Sequence, residues 1–333
     1  MPRILVTPPV YREGKGPWRE VLDAAGFELV IPQIDCSQVD SATFLKQLEG
    51  IDGTLASIEN YDRKILASAK QLKVVARVGV GYDTIDVPAA TDNGVVVTIT
   101  PGTNHDSVAE QAIALITAVF RDTARRDREI RQGMWRRNSP RRLAGNTIGL
   151  VGLGRIGKAM VPRCRGLGLN ILGYDPILNP NTDKIEGVTL CGLDALLAQS
   201  DIVSLHLPCT PETTNMVNDA LLAKMKPNSV LVNTSRGGLV DEDALCRALA
   251  SGRLFGAGLD VTKIEPLPMS SSLRQFENIV FAPHLGGIDQ TGLDAMGHLA
   301  AKCLVDLLNN NWPEMCVVNR DVKDKWQAKM AGR

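Results

Sequence analysis

The chain is 333 residues long, more than one hydrophobic core usually organises, so two domains are expected. Hydrophobic residues make up 44% of it and charged residues 22%, a balance that excludes a disordered or fibrous chain. The 37 basic residues match 37 acidic ones, which leaves no overall field for nucleic acid or an anionic membrane, so any anion must be met by a local site.

The opening residues, MPRILVTPPV, carry a short apolar run without a secretory core or cleavage site. No segment offers about 18 uninterrupted apolar residues, so a cytoplasmic protein without a membrane partner is expected. Through the first hundred residues, β-branched runs alternate with polar-spaced helical stretches. Residues 4–7, 54–57, 74–78 and 95–99 read as buried strands, with helices at 17–25, 41–48 and 62–69, which makes a small parallel α/β unit. After the break at Pro101-Gly102, Val108, Ala109, Ala112, Ile113, Leu115, Ile116, Val119 and Phe120 recur at helical spacing and predict a long, largely buried helix over 108–121.

The following stretch, RDTARRDREIRQGMWRRNSPRRLAG, is dense in arginine, but acidic residues interleave with it. It reads as a solvated helix and loop, or a subunit contact, rather than a nucleic-acid patch. From Asn146 on, strands are expected at 147–151, 170–174, 202–205, 229–233, 255–259 and 279–281, the six of a doubly wound dinucleotide domain. A last helix, 291–308, has no strand after it and is expected to cross back and complete the first domain. Seven scattered cysteines (Cys36, Cys164, Cys191, Cys209, Cys246, Cys303 and Cys316) form no Cys-x-x-Cys pair, which points to reduced thiols and no metal site.

Chemistry concentrates in the second half. Gly152-Leu153-Gly154-Arg155-Ile156-Gly157 follows a strand and opens a helix. In that setting Gly152 permits the turn, Gly154 lets the backbone approach a pyrophosphate, and Gly157 lets helix and strand pack closely. Asp175 ends the next strand about 20 residues on, where a carboxylate accepts the adenosine ribose hydroxyls. Residues 176–179 hold no arginine or lysine to meet a 2′-phosphate, so NAD is expected as the cofactor. Pro162 falls inside the expected helix and should kink it.

Three polar residues lie just past the ends of later strands, where open α/β sheets bind ligands. Arg236, in VNTSRGG, offers a planar fork suited to a carboxylate, with a surface ion pair as the plainer alternative. Glu265, in GLDVTKIEPLP, and His284, in FAPHLGG, could form an acid/base pair.

With these residues the chain resembles the D-isomer-specific 2-hydroxyacid dehydrogenases, the group that includes D-3-phosphoglycerate dehydrogenase and glyoxylate/hydroxypyruvate reductase. The resemblance covers nearly the whole chain and rests on RVGVGYDTID, SVAEQAIAL, TIGLVGLGRIG through YDP, HLPCTPET, VNTSRGGLVDEDAL, GLDVTKIEPLP and APHLGG, in the family's order and spacing. It implies a Rossmann domain (102–287) inserted in a smaller flavodoxin-like substrate domain (1–101 and 288–333). It further implies hydride transfer between NAD(H) and C2 of a small 2-hydroxy/2-oxo acid of phosphoglycerate, hydroxypyruvate or glyoxylate type. Arg236 then anchors substrate, His284 exchanges the proton and Glu265 supports the imidazolium.

Asp260 resembles the residue that contacts the nicotinamide carboxamide, and Thr234, Pro208, Thr213 and Gly286 resemble residues of the cofactor cleft. Arg77, Val78 and Gly79 resemble the substrate-binding loop, whose amides would meet a carboxylate; the alternative is a glycine turn ending a strand. His206 lines the cofactor cleft or is a satisfied strand-end histidine, and His105 approaches substrate or serves as a hinge or cap. His298 is structural, and Trp135 and Trp312 are further candidates to reach the substrate. A homodimer built mainly through the cofactor domain, or a tetramer, follows from the same resemblance.

Departures bear on substrate. Thr262 and Ile288-Asp289 replace an aromatic and a Ser-Thr pair common in the family, and Ala56-Ser57 stands where phosphoglycerate-type members place an arginine, which weakens the case for a phosphorylated substrate. The chain ends soon after the returning helix, so the carboxy-terminal regulatory domain of some relatives is not expected. Two other uses of the scaffold compete: an NAD-sensing corepressor-like binding protein, and a formate or phosphite dehydrogenase.

Overall fold

Short β-branched runs bounded by turns suit sheets covered on both faces, and the computed structural model, which describes residues 1–332, builds two of them. The chain divides into two units: Met1–Asn104 together with the segment from Ile288 onward, and His105–Gly287.

The first unit runs β1 (Arg3–Val6), α1 (Pro17–Ala24), β2 (Glu28–Val30), α2 (Ser41–Gln47), β3 (Gly53–Ala56), α3 (Arg63–Ser68), β4 (Val74–Arg77), α4 (Val87–Asp92) and β5 (Val96–Thr98). All its ladders are parallel, in the order β2-β1-β3-β4-β5, which is the flavodoxin-like winding. Asp40, Asp62 and Asp86 start three of the helices by accepting the N–H groups of Thr43, Ile65 and Ala89 at 2.7, 2.8 and 2.8 Å. Neither β2 nor α4 stands out in the sequence: the first is a half-exposed edge strand of three residues, and the second is too short for a helical period to register.

The second unit opens with α5 (His105–Arg121) and α6 (Thr123–Arg131). Then come β6 (Thr147–Val151), α7 (Arg155–Gly166), β7 (Asn170–Tyr174), β8 (Thr189–Leu190), α8 (Leu193–Gln199), β9 (Ile202–Leu205), α9 (Asp219–Lys224), β10 (Ser229–Asn233), α10 (Glu242–Ala250), β11 (Leu254–Leu259) and β12 (Ile279–Phe281). The six expected strands are present, and β8 adds a seventh of two residues at the edge. The order β12-β11-β10-β9-β6-β7-β8 makes β8 the third strand of a doubly wound sheet and moves every later strand up by one. Strand order reverses between β6 and β9, so the crevice of this sheet opens at their carboxyl ends. Helix α7 continues through Pro162, and Arg163 folds back to donate to the Ala159 carbonyl at 2.9 Å.

The chain then returns to the first unit as α11 (Gln290–Leu308) and α12 (Lys323–Ala331). Ala300, Ala301, Leu304 and Leu307 of α11 pack with Ile4, Val6, Leu55, Val74 and Ala76 on one face of that sheet, and Phe44, Ile65 and Leu66 cover the other. Tyr11 stacks on Trp18 at 5.2 Å and donates to the Leu293 carbonyl at 2.7 Å, which joins α11 to the start of the chain. Among the described residues no helix is long and apolar enough to cross a membrane.

Candidate active site

The glycine run sits where β6 leaves the second sheet. Gly152 has φ +100°, and a Cβ on it would lie 2.6 Å from the His206 carbonyl oxygen, so only glycine fits. A Cβ on Gly157 would fall 2.1 Å from the Gly152 carbonyl oxygen. Gly154 caps α7 with open space around it, and the first-turn amides of Arg155, Ile156 and Gly157 have no intrahelical acceptor, which gives a pyrophosphate a ready cradle. Asp175 closes that cradle: its Oδ2 accepts the Leu153 N–H at 2.8 Å and its Oδ1 that of Ile177 at 3.1 Å. A carboxylate so held keeps lone pairs for ribose hydroxyls.

Strands β9 and β10 end beside the same crevice. Burial pushes the His206 imidazole down to about 4, so the ring is neutral, and its Nε2 shares a hydrogen bond with Ser204 at 3.0 Å. The Nδ1 of His206 and the hydroxyl of Thr234 are both buried without a protein partner, two polar groups that a dinucleotide in the crevice can satisfy. Thr213 has a building role: it donates to the Pro208 carbonyl at 2.8 Å and accepts the Thr210 N–H at 2.7 Å, which shapes the 208–213 loop. The residues therefore fit NAD.

Three loops at the carboxyl ends of β10, β11 and β12 bring together residues far apart in sequence. His284 Nδ1 and Glu265 Oε2 lie 2.6 Å apart, and the other carboxylate oxygen accepts the Thr262 N–H at 2.9 Å. Burial pushes the Glu265 carboxyl up, but the hydrogen bond and charge of His284, the Thr262 N–H and the Arg236 guanidinium together outweigh it and hold the acid below its usual range. Glu265 is thus an anion at neutral pH. It fixes the proton of His284 on Nδ1 and leaves Nε2 to exchange one. Arg236 donates to the Ser235 carbonyl at 2.6 Å, and its own carbonyl accepts from Asn233 at 2.8 Å.

The histidine turn has a brace of its own. His284 takes φ +56°, a left-handed conformation that costs free energy in any residue but glycine. Its N–H donates to the Asp260 carbonyl at 2.8 Å, and the buried Asp260 carboxylate accepts the N–H groups of Leu285 and Gly286 at 2.9 and 2.8 Å. Gln111 reaches the same carboxylate from α5 at 3.4 Å. Asp260 therefore holds the turn that aims His284, a role that sequence reasoning missed along with Gln111 and the Thr262 amide.

The first unit requires a correction. The Val78 N–H donates to the Ala56 carbonyl at 2.9 Å and the Gly79 N–H to the Thr100 hydroxyl at 3.0 Å, so neither amide is an open donor as expected. The sheet ladder continues one residue past β4 and takes up the first, and the Thr100 side chain takes up the second. Arg77 turns its guanidinium to the Val78 carbonyl.

Residues 113–286 match the family model described as D-isomer specific 2-hydroxyacid dehydrogenase, NAD binding domain. The chain belongs to this family. The dehydrogenase is 37% identical over 288 residues to glyoxylate reductase of Thermococcus litoralis, which covers 84% of this chain and 86% of that one. It is 40% identical over 282 residues to D-3-phosphoglycerate dehydrogenase of Mycobacterium leprae, 84% of this chain but 50% of that protein, so it spans about half the length of that relative. A crystal structure of a Thermus thermophilus protein resembles it with a TM-score of 0.84 at 36% identity, over 95% of this chain and 100% of that one. The protein is an NAD-dependent oxidoreductase of the family, acting on CH–OH donors.

The remaining candidates are less engaged. His105 Nε2 lies 3.6 Å from Asp106 at the start of α5, and its Nδ1 is buried without a partner. His298 is an exposed residue of α11. Trp312 packs on Trp326 at 5.4 Å under Lys323 and so belongs to the first unit's core, whereas Trp135 is 79% exposed.

Proposed function

We propose that the dehydrogenase interconverts a short, unphosphorylated 2-oxo acid and its 2-hydroxy acid, of glyoxylate or hydroxypyruvate type, with reduction as its main direction. The 2.6 Å contact between His284 and Glu265 carries this reading, because it sets a charged carboxylate behind an imidazole whose other nitrogen is available for proton exchange. Bound NADH supplies the hydride. His284 gives a proton from Nε2 to the oxygen on C2, and Glu265 stabilises the imidazolium before that transfer. Arg236 anchors the substrate carboxylate and the adjacent C2 oxygen with its planar donors.

We further infer a homodimer. The α6 helix and the arm after it present Ile130 at 55% exposure and Trp135 at 79% among Arg126, Arg136 and Arg137, an apolar and cationic surface suited to a second copy. The protein is assigned to the cytoplasm, where its cysteines stay reduced. A steady-state screen of about a dozen 2-oxo acids with NADH and NADPH tests the enzymatic reading against the corepressor alternative. Turnover of at least one short acid with NADH supports it; tight NADH binding without oxidation of any acid rejects it.

A further inference from the structure

The two unpaired polar groups of the cofactor crevice, His206 Nδ1 and the Thr234 hydroxyl, stand on one face of the second sheet. Strands β9 and β10 run in register with Ser204 opposite Val232 and Leu205 opposite Asn233, so His206 and Thr234, each one step further on, continue the same pairing. Residues two apart in an extended strand share a face. Ser204 and His206 therefore point the same way, and the Ser204 hydroxyl meets His206 Nε2 at 3.0 Å. The His206 N–H donates to the Val151 carbonyl at 2.7 Å, and a Cβ on Gly152 would lie 2.6 Å from the His206 carbonyl oxygen, so this residue is fixed against the phosphate turn.

Ser204 is fully buried and His206 nearly so. Burial keeps the imidazole neutral, with one proton for its two nitrogens. Among the described residues the Ser204 hydroxyl has no hydrogen-bond partner besides this ring. Were the proton on Nε2, the hydroxyl would accept it and its own hydrogen would stay buried without an acceptor, which costs free energy. With the proton on Nδ1, the hydroxyl donates to Nε2 and both groups are satisfied. Nδ1 is then a buried N–H donor without a protein acceptor, next to the unpaired Thr234 hydroxyl.

We propose that Ser204 is a positioning residue of the cofactor site: its hydroxyl fixes His206 as the Nδ1–H tautomer, so that the crevice presents a set hydrogen-bond donor to an oxygen of NAD(H). Ser204 acts through His206 and does not touch the cofactor. This rests on the crevice as the NAD site and is independent of which acid is reduced.

Two measurements test it. In the unloaded protein, nitrogen-15 correlation spectra of the four histidine rings, with His206→Leu identifying the His206 signals, should show Nδ1 protonated and Nε2 bare. Fluorescence titration with NADH, in the absence of any acid substrate, should show Ser204→Ala binding about tenfold more weakly than wild type (about 1.4 kcal/mol), because its ring places the proton on either nitrogen. Ser204→Cys, which keeps a weak S–H donor, should fall between them. In a His206→Leu background Ser204→Ala should cost no further affinity, whereas a merely structural serine would cost the same in both backgrounds. A wild-type His206 protonated on Nε2 overturns the proposal, as does wild-type NADH affinity in Ser204→Ala or an equal loss in the two backgrounds. Should Ser204→Ala not fold, the wild-type tautomer decides alone. A wild type that fails to bind NADH sinks the cofactor site and this assignment together, whereas normal NADH binding without turnover of any acid sinks only the reductase.

Discussion

Two glutamates, each in a loop following the carboxyl end of a parallel strand, are shifted in opposite directions by their surroundings. Glu265 is partly exposed and has a partner for each oxygen, and His284 with the Thr262 amide holds it below the usual carboxylate range. Glu59 is sealed, has a partner for only one oxygen, and burial lifts it above that range despite Thr7, Ser57 and Arg77. Donor count against burial, rather than place on the sheet, decides which way each carboxyl shifts.

The sharpest way to break the contrast is to remove what Glu265 serves. His284→Ala should lower kcat by about 10³-fold, within the range expected for a lost general acid, while NADH binding by fluorescence stays near wild type. Persistence of normal turnover would reject the assignment of His284. Glu265→Gln should cost less, about 10²-fold in kcat, because the imidazole remains but loses its counter-charge. An unchanged kcat would show that Glu265 only shapes the loop.

These residues were legible to different degrees, for physical reasons. The glycine cradle was readable because its signal is local: a turn, an approach and a packing contact fall within six residues, and Gly152 takes the positive φ and Gly157 the tight backbone contact that only glycine allows. Five strands of the second unit, including β6 and β10, match to the residue, since continuous β-branched runs with turns at both ends leave little freedom. Edge strands β2 and β8 were missed because two or three half-exposed residues carry no period. Arg236, Glu265 and His284 could be named from their motifs, but the 2.6 Å contact depends on the Asp260 brace, which no local pattern reveals. Glu59 in SIENYD reads as an ordinary polar loop residue, and only the packing of β1, β3 and β4 around it discloses an acid sealed from water.

Asp175 offers a smaller effect. Its carboxylate holds the Leu153 amide at 2.8 Å and faces the position where a ribose hydroxyl or a 2′-phosphate would differ. Asp175→Ser should lower the kcat/KM preference for NADH over NADPH by about tenfold, chiefly through KM for the two cofactors. An unaltered preference would place discrimination elsewhere in the loop.

The smallest expected effect returns to the two acids and concerns stability. A carboxyl lowered in the fold, as Glu265 is, adds stability above its unfolded value of about 4.3 that is lost as pH falls through the folded one. A carboxyl raised in the fold, as Glu59 is, does the reverse: its contribution is complete below about 4.3 and is lost as pH rises through the folded value. Scanned from acid to alkaline pH, wild type should therefore lose apparent Tm as the pH rises through the folded value of Glu59, and Glu59→Gln, which never ionises, should lose less. The two proteins should diverge in apparent Tm at the alkaline end. Parallel curves would mean that Glu59 holds the same charge across that window. The contrast with Glu265 would then rest on partners alone.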